Sequence, residues 1–408
     1  MRLPVLLHDD LCSRETRLGV GVHGRANLES AGVADEQDFN TFLHELRSRE
    51  LERLPAGART VLHGGAAGTW YFEWFDEHYP TAVERHIGVE AFSPPPDPLP
   101  PRVEWLQRTL GDLSPVPDGS VDLVFAGEVL EHLWPEDVAG FLAEAHRVLE
   151  PGGKIAADSP NRLVTKRLGW DHPEHTVELT VEEIRELLGL AGFDDVEIRG
   201  VWICYDPERD RVLPFDELGS VAGWDAERRA AEAADRPMDS FVWWAEATRA
   251  EREPDHEALN RRVHEAYDVY RAQRLSRMHH TVGSRREENG RKFVSARRGR
   301  AGALLFGPYV PMRPGKWTAR FRISAIPARW RSNPEPDEPL ASLDVTVGES
   351  EGRVVAEQSL TARELPLDGQ EHALELPFKL DRTEFGAQFR VHTFGRVRMS
   401  ARYPVEVE

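Results

Sequence analysis

From Arg59 to about residue 201, short apolar runs alternate with amphipathic stretches, and this alternation constrains the fold more than any other feature of the chain. Strands separated by helices form a mostly parallel sheet, because each crossover helix covers a face and returns the chain to run the same way. The expected strands are 60–63, 86–90, 121–125, 154–158 and 196–201. Phe241-Val-Trp-Trp-Ala, after a polar insertion at 206–239, reads as a last strand returning to the sheet. A helix over 135–149 carries Val138, Phe141, Leu142, Ala145 and Leu149 on one stripe and stops at Pro151-Gly152-Gly153. Thr180 and Glu183 form a capping box for a helix that ends near Gly192.

One of these strands leads into chemistry. Residues 121–132 read Val-Asp-Leu-Val-Phe-Ala-Gly-Glu-Val-Leu-Glu-His, a buried strand followed by carboxylates and an imidazole spaced i, i+3, i+4. A helical turn here would put Glu128, Glu131 and His132 on one face. The carboxyl end of a strand is also where open α/β sheets bind ligands.

Composition narrows the partners. With 70 acidic against 51 basic residues the net charge is -19, which opposes attraction to a phosphate backbone, so nucleic acid is not an expected partner. Only Cys12 and Cys204 are present, too few for a disulfide framework. There is no signal-peptide pattern and no apolar run near the roughly 18 residues of a membrane span, so a cytoplasmic protein without a transmembrane segment is expected. The 408 residues suffice for two or three domains. Residues 1–57 read as an N-terminal arm or lid, 58–253 as the α/β domain, 254–300 as a helical and basic connector, and 301–408 as an all-β sandwich or jelly roll. Nothing in the pattern fixes an oligomeric state.

Residues 58–205 resemble class I S-adenosylmethionine-dependent methyltransferases, through five elements in order. These are Val61-Leu-His-Gly-Gly-Ala-Ala-Gly68, Glu90 at the end of the second strand, Gly-Asp112-Leu, the run 117–124, and Val148-Leu-Glu-Pro-Gly-Gly153. The resemblance implies a Rossmann-like seven-stranded sheet with a helical insertion, and S-adenosylmethionine as cofactor. It implies a glycine loop of Gly64, Gly65, Ala67 and Gly68, with Glu90 on the ribose. Asp112 and Leu113 would meet the adenine, and Gly127 would line the pocket. His63 stands where the family has an acid, and Ala67 or Thr69 where a glycine is common. That departure keeps open a non-enzymatic, glycan-binding pseudo-methyltransferase.

The E-x-x-E-H cluster is similar to that of ubiquinone-pathway O-methyltransferases and small-RNA 2′-O-methyltransferases. This implies a divalent cation, Mg or Mn, on Glu128, Glu131, His132 and, from the segment after Ser159-Pro-Asn161, His175, with His172 a substitute. His132, Glu131 and His175 are then the expected catalytic residues, since a cation positions and acidifies an otherwise poor hydroxyl nucleophile. Without a metal, the same residues line the cofactor pocket or serve as a base. Asn161 and Arg162 either contact the acceptor or fix the loop after the fifth strand.

The C-terminal segment looks similar to carbohydrate-binding-like β-sandwiches, with Tyr309, Trp317 and Trp330 as candidate faces for sugar rings. Seven basic residues between Arg285 and Arg300 suit either a diphosphate or a solvated connector. The expected function is therefore O-methylation of a hydroxyl on a sugar or glycan. A quinone or phenol acceptor is the alternative, and an RNA 3′-terminal ribose stands third on charge.

Overall fold

The computed structural model describes residues 39–327, 333–348 and 352–408. The expected arm over 1–38, Cys12 and Trp330 lie outside these. The described chain falls into two compact units, one of residues 39–170 with 177–266, the other of 171–176 with 267–408.

In the first unit α1 (Phe39–Leu51) precedes β1 (Thr60–Gly64), α2 (Trp70–His78), β2 (Arg85–Glu90), β3 (Val103–Gln107) and β4 (Val121–Gly127). Then come α3 (Pro135–Val148), β5 (Leu149–Pro160), α4 (Arg162–Leu168), α5 (Val181–Leu190) and β6 (Phe193–Gly200). α6 (Ala226–Ala233), β7 (Val242–Arg249) and α7 (His256–Leu275) follow, the last carrying the chain into the second unit. The sheet runs in the order β3-β2-β1-β4-β5-β7-β6. Strands β1 to β5 are parallel, and β7 is antiparallel to both β5 and β6. It is a mixed Rossmann-like sheet, and its order reverses direction between β1 and β4.

The central strands form because both their faces are covered. Val121, Leu123, Val124, Phe125 and Ala126 of β4 are all buried, giving the near-continuous apolar run of a two-sided parallel strand. Helix α3 starts with Pro at its first position and acids in its first turn, and ends with His146 and Arg147 against the negative end of its dipole. The capping box of Thr180 and Glu183 opens α5 as expected. Two readings need correction. The α3 helix ends at Val148, and Pro151-Gly152-Gly153 is an irregularity inside β5, where the register against β4 shifts, and not the helix stop. Strand β3 was not expected, because its half-buried edge position needs no solid apolar run.

Residues 39–57 of the expected arm pack into the core of the first unit. Leu43, Leu46, Leu51 and Leu54 are buried in one cluster with Trp74, Phe75, Trp202 and Trp244. Glu50 accepts from Arg199 Nε at 2.7 Å, which ties α1 to the sheet edge.

The second unit is all-β beyond α7. Its strands are β8 (Ser284–Glu288), β9 (Arg291–Ala296), β10 (Gly302–Leu305), β11 (Pro308–Met312), β12 (Gly315–Ile326) and β13 (Ala341–Val347). They continue with β14 (Arg353–Leu360), β15 (His372–Leu380), β16 (Glu384–Thr393), β17 (Arg398–Tyr403) and β18 (Glu406–Val407). One sheet has the order β8-β9-β17-β12-β15 with β18 on β12, the other β10-β16-β13-β14 with β11 on β16. Both contribute to one apolar core, with Phe321 and Met399 from the first and Leu343 and Phe389 from the second. Within the expected helical and basic connector, most of 284–296 is strand, in β8 and β9.

Candidate functional site

The carboxyl ends of β1 and β4 flank the switch point, and the expected glycine loop lies there. Gly65 has φ +68° and Gly68 φ +100°, left-handed values that exclude ordinary side chains at little cost only for glycine. The Gly65 N–H donates to the Val89 carbonyl at 2.9 Å, and a Cβ on Gly65 would meet Val129 Cγ2 at 2.7 Å. Gly64 closes β1, while Ala67 is exposed and donates its N–H back to Gly65. His63 does not take up the role of an acid. It is fully buried against Phe72 and Phe75, with Nε2 3.0 Å from His86 Nδ1, and His86 Nε2 lies 3.1 Å from Asp76.

Glu90 ends β2 with its Oε1 accepting the N–H groups of Phe92 at 2.6 Å and Ser93 at 3.0 Å, so its carboxylate is oriented by the following turn. Asp112 is exposed; hydrogen bonds from Ser114, then Arg108, hold its carboxyl below the usual range. Leu113 is buried, with its N–H on Glu144.

The acidic cluster differs from the expected single helical face. Glu128 has φ +49° and precedes the short 3-10 turn Leu130–His132, so it does not share a helical face with Glu131 and His132. Its N–H donates to Asp158 Oδ1 at 3.0 Å, which orders the end of β4 against the end of β5. Arg47 reaches this point from α1. Its Nε lies 2.5 Å from Asp158 Oδ2, its Nη2 3.4 Å from Glu128 Oε1, and its Nη1 3.3 Å from His44 Nδ1. Arg47 and Asp158 are 3% and 0% exposed, so this is a buried ion pair. Gly127 is where the sheet end leaves no room: a Cβ would lie 2.6 Å from Tyr71 Oη and 3.0 Å from Asp158 Oδ1.

Burial dominates the electrostatics. It works against the Arg47 charge, but Asp158, Tyr71 and Glu128 more than offset it and raise the guanidinium pKa. Burial pushes Glu128 up to about 7 despite Arg47, and raises Asp158 as well. Glu131 is raised well above the usual carboxylate range by burial first and by Glu128 second.

Glu131 is buried and His132 half-buried, and each offers a ligand atom within 4.8 Å of the other's. Glu128 is not in that group but with Arg47. His175 is 4% exposed, with its ring centroid 4.5 Å from that of His172 and its N–H on the His172 carbonyl. Two residues on, the Val177 N–H donates to the Glu131 carbonyl at 3.3 Å. Asn161 and Arg162 fix the loop after β5. Asn161 caps α4 and donates to the Pro237 and Ser240 carbonyls, while Arg162 binds the Ala266 carbonyl and Glu183. Trp317 packs against the second unit's core with its Nε1 on the Arg313 carbonyl, and Tyr309 is half-buried with φ +66°.

Arg47, Tyr71 and Asp158 were not singled out from sequence. Asp158 closes an expected strand, a position that signals a ligand-facing side chain in such sheets. Arg47 meets it across 111 residues of chain, and no local pattern reports such a contact.

Residues 82–157 match the family described as methyltransferase domain. A probable S-adenosylmethionine-dependent methyltransferase of Mycolicibacterium smegmatis is 45% identical over 105 residues, 25% of this chain and 39% of the relative. One of Mycobacterium tuberculosis (strain H37Rv) is 36% identical over 173 residues, 41% of this chain and 60% of the relative. The chain thus spans 39% and 60% of the length of these curated relatives. An S-adenosylmethionine-dependent methyltransferase structure from Archaeoglobus fulgidus is 19% identical with a TM-score of 0.37, covering 52% of this chain and 94% of that one. The strand order, with its switch point between β1 and β4, and the match over 82–157 together give the first unit a Rossmann-like methyltransferase fold.

Proposed function

We propose that the chain is an S-adenosylmethionine-dependent methyltransferase that O-methylates a hydroxyl of a sugar or glycan with the help of a divalent cation. The observation that carries methyl transfer is the glycine loop at the switch point between β1 and β4, with Gly65 and Gly68 at positive φ and Glu90 pre-oriented at the end of β2. These residues fit the cofactor: the glycines let the backbone approach it, Glu90 suits ribose hydroxyls, and exposed Asp112 suits an adenine amine. When bound, S-adenosylmethionine supplies an electrophilic methyl group on a sulfonium.

The metal reading draws on the mixed donor set. Glu131 and His132 offer a carboxylate and an imidazole side by side, and His175 precedes the segment fastened to the Glu131 carbonyl. Oxygen and nitrogen donors together suit Mn²⁺ as well as Mg²⁺, and such a cation would acidify an acceptor hydroxyl whose proton would leave to water, since a ligating His132 has no lone pair to take it. The glycan acceptor rests on the two-sheet second unit, an architecture that suits presentation of a sugar chain.

Calorimetric titration of S-adenosylmethionine, with and without Mn²⁺, tests the first part. Binding is expected in both; its absence in both would retire methyl transfer. Transfer of a labelled methyl group to diol-bearing sugars should then stop in chelator and return with Mn²⁺. Full activity in chelator would remove the cation and leave methyl transfer standing.

A further inference from the structure

We propose that the outer face of the sheet β10-β16-β13-β14 binds a neutral, hydroxyl-rich sugar chain through Arg390, Asp344, His392 and Tyr309. This rests on the glycan reading above and puts that ligand on named residues of the second unit.

The two central strands carry the case. Leu343, Val345 and Val347 of β13 and Ala387, Phe389 and Val391 of β16 lie in the core, so the residues between them face outward. These are Ser342, Asp344 and Thr346, set directly opposite His392, Arg390 and Gln388. Every one is polar. The Asp344 side chain is only 7% exposed, against 24% for Arg390 and 35% for His392. The carboxylate therefore lies deepest, with a cation and an imidazole beside it open to a ligand.

Their pairing leaves hydrogen-bonding capacity over. A guanidinium commonly meets a carboxylate through two parallel N–H groups. Arg390 instead donates through Nε alone, to Asp344 Oδ1 at 2.5 Å, and among the described residues it makes no other hydrogen bond. Both of its Nη groups are left to donate. His392 Nε2 lies 3.6 Å from Asp344 Oδ2, too far for a hydrogen bond, so that oxygen keeps room to accept.

Tyr309 supplies the apolar part. Val310 and Met312 of β11 are in the core, which turns the Tyr309 ring to the outer face. Arg274 donates from Nη2 to the Tyr309 carbonyl at 2.7 Å and so helps to hold its φ of +66°. Burial raises the pKa of the Tyr309 hydroxyl and the Arg390 charge opposes that shift, so the phenol and the guanidinium are neighbours. An aromatic face beside fixed donors and acceptors suits a sugar ring, whose C–H face packs on the one while its hydroxyls bond the others.

The charge balance selects a neutral ligand. Glu357 of β14 pairs opposite Asp344, and burial lowers the His392 pKa against the opposing pull of Asp344, which keeps the imidazole neutral near pH 7. Two carboxylates against one guanidinium then repel a phosphate or a uronate, and a polyol meets no such cost.

The full chain is titrated by calorimetry with neutral oligosaccharides of glucose, mannose, galactose and xylose, and with oligogalacturonate as the anionic counterpart. At least one neutral oligosaccharide is expected to bind, and oligogalacturonate is not. Arg390→Lys keeps the charge beside Asp344 and loses the planar donor edge; it should weaken that oligosaccharide about tenfold, the scale of a lost hydrogen bond to a charged group. His392→Ala, at a more exposed position, should weaken it severalfold. Melting temperature and S-adenosylmethionine affinity should stay as in the unsubstituted chain. Unchanged oligosaccharide affinity in either variant would overturn this placement and leave the glycan reading standing. Oligogalacturonate binding more tightly than every neutral oligosaccharide would overturn the ligand class. No oligosaccharide binding by the unsubstituted chain would overturn the site as well, and the glycan reading would then stand or fall on methyl transfer to sugars alone.

Discussion

At Glu90 a single carboxylate does two things, ending β2 and accepting the N–H groups of Phe92 and Ser93. Glu90→Ala therefore removes a ribose acceptor and releases the turn that orders it. S-adenosylmethionine affinity should fall about tenfold or more by calorimetry, and an unchanged affinity would take Glu90 out of the site. The histidines beneath the glycine loop give a second prediction. Burial holds His63 well below its ordinary value and His86 below it too, though Asp76 opposes the latter shift. Between the unfolded value near 6.5 and the depressed folded values, the unfolded chain binds more protons. Stability is then fully present above about pH 6.5 and lost as pH falls through the folded values. The melting temperature should drop on acidification from about pH 7 to 5, and less so in His63→Leu; a flat difference between the two profiles would refute this contribution. The residues conferring both effects were partly legible. Glu90 sits at a strand end, a place sequence can mark, and His63 stood out as a departure from the glycine-loop pattern. That His63 faces an aromatic wall and pairs with His86 depends on two strands lying in register, His63 against Gly88, which sequence alone does not state.

Among the elements, α5 shows how far local chemistry reaches. Thr180 Oγ1 accepts the Glu183 N–H at 3.2 Å and Glu183 returns to the Thr180 N–H at 2.8 Å, so the box is closed both ways. Thr180→Ala should cost about 1 kcal/mol, read by denaturant unfolding, and no change would mean that packing of Ile184, Leu187 and Leu188 alone sets the helix. Such caps, the stripe of α3 and the apolar run of β4 are short-range, and all are legible from sequence. The misses share a different cause. Strand β3 lies at the sheet edge with no fully buried residue, and β8 is exposed throughout, so neither carries a buried apolar run. Their strand state comes from backbone pairing with β2 and β9, supplied by tertiary context. Helix α1 likewise gains its place from Trp202 and Arg199, residues far along the chain. A weak helical pattern at residues 39–51 gave no sign that Arg47 would enter the site.

Over the whole molecule the charge balance bears on the acceptor. The chain has a net charge of -19, and its basic run at 285–300 does not form a continuous track for phosphates. Pairing of β8 with β9 sets Glu287 opposite Lys292 and Glu288 opposite Arg291, so carboxylates face two of the cations. Arg285 turns to the Met278 carbonyl and the Tyr403 ring. Of the others, Arg286 lies opposite Phe293, while Arg297, Arg298 and Arg300 follow the end of β9. At an ionic strength of about 0.15 M, screening over roughly 8 Å leaves little steering from what is left. A labelled single-stranded RNA followed by fluorescence anisotropy should therefore show no saturable binding at that salt. Neutral diol-bearing sugars release no counterions, so their methylation rates should stay nearly constant between about 0.05 and 0.2 M salt. Saturable RNA binding that weakens steeply across the same range would reverse the ranking of acceptors and bring a terminal ribose ahead of a glycan.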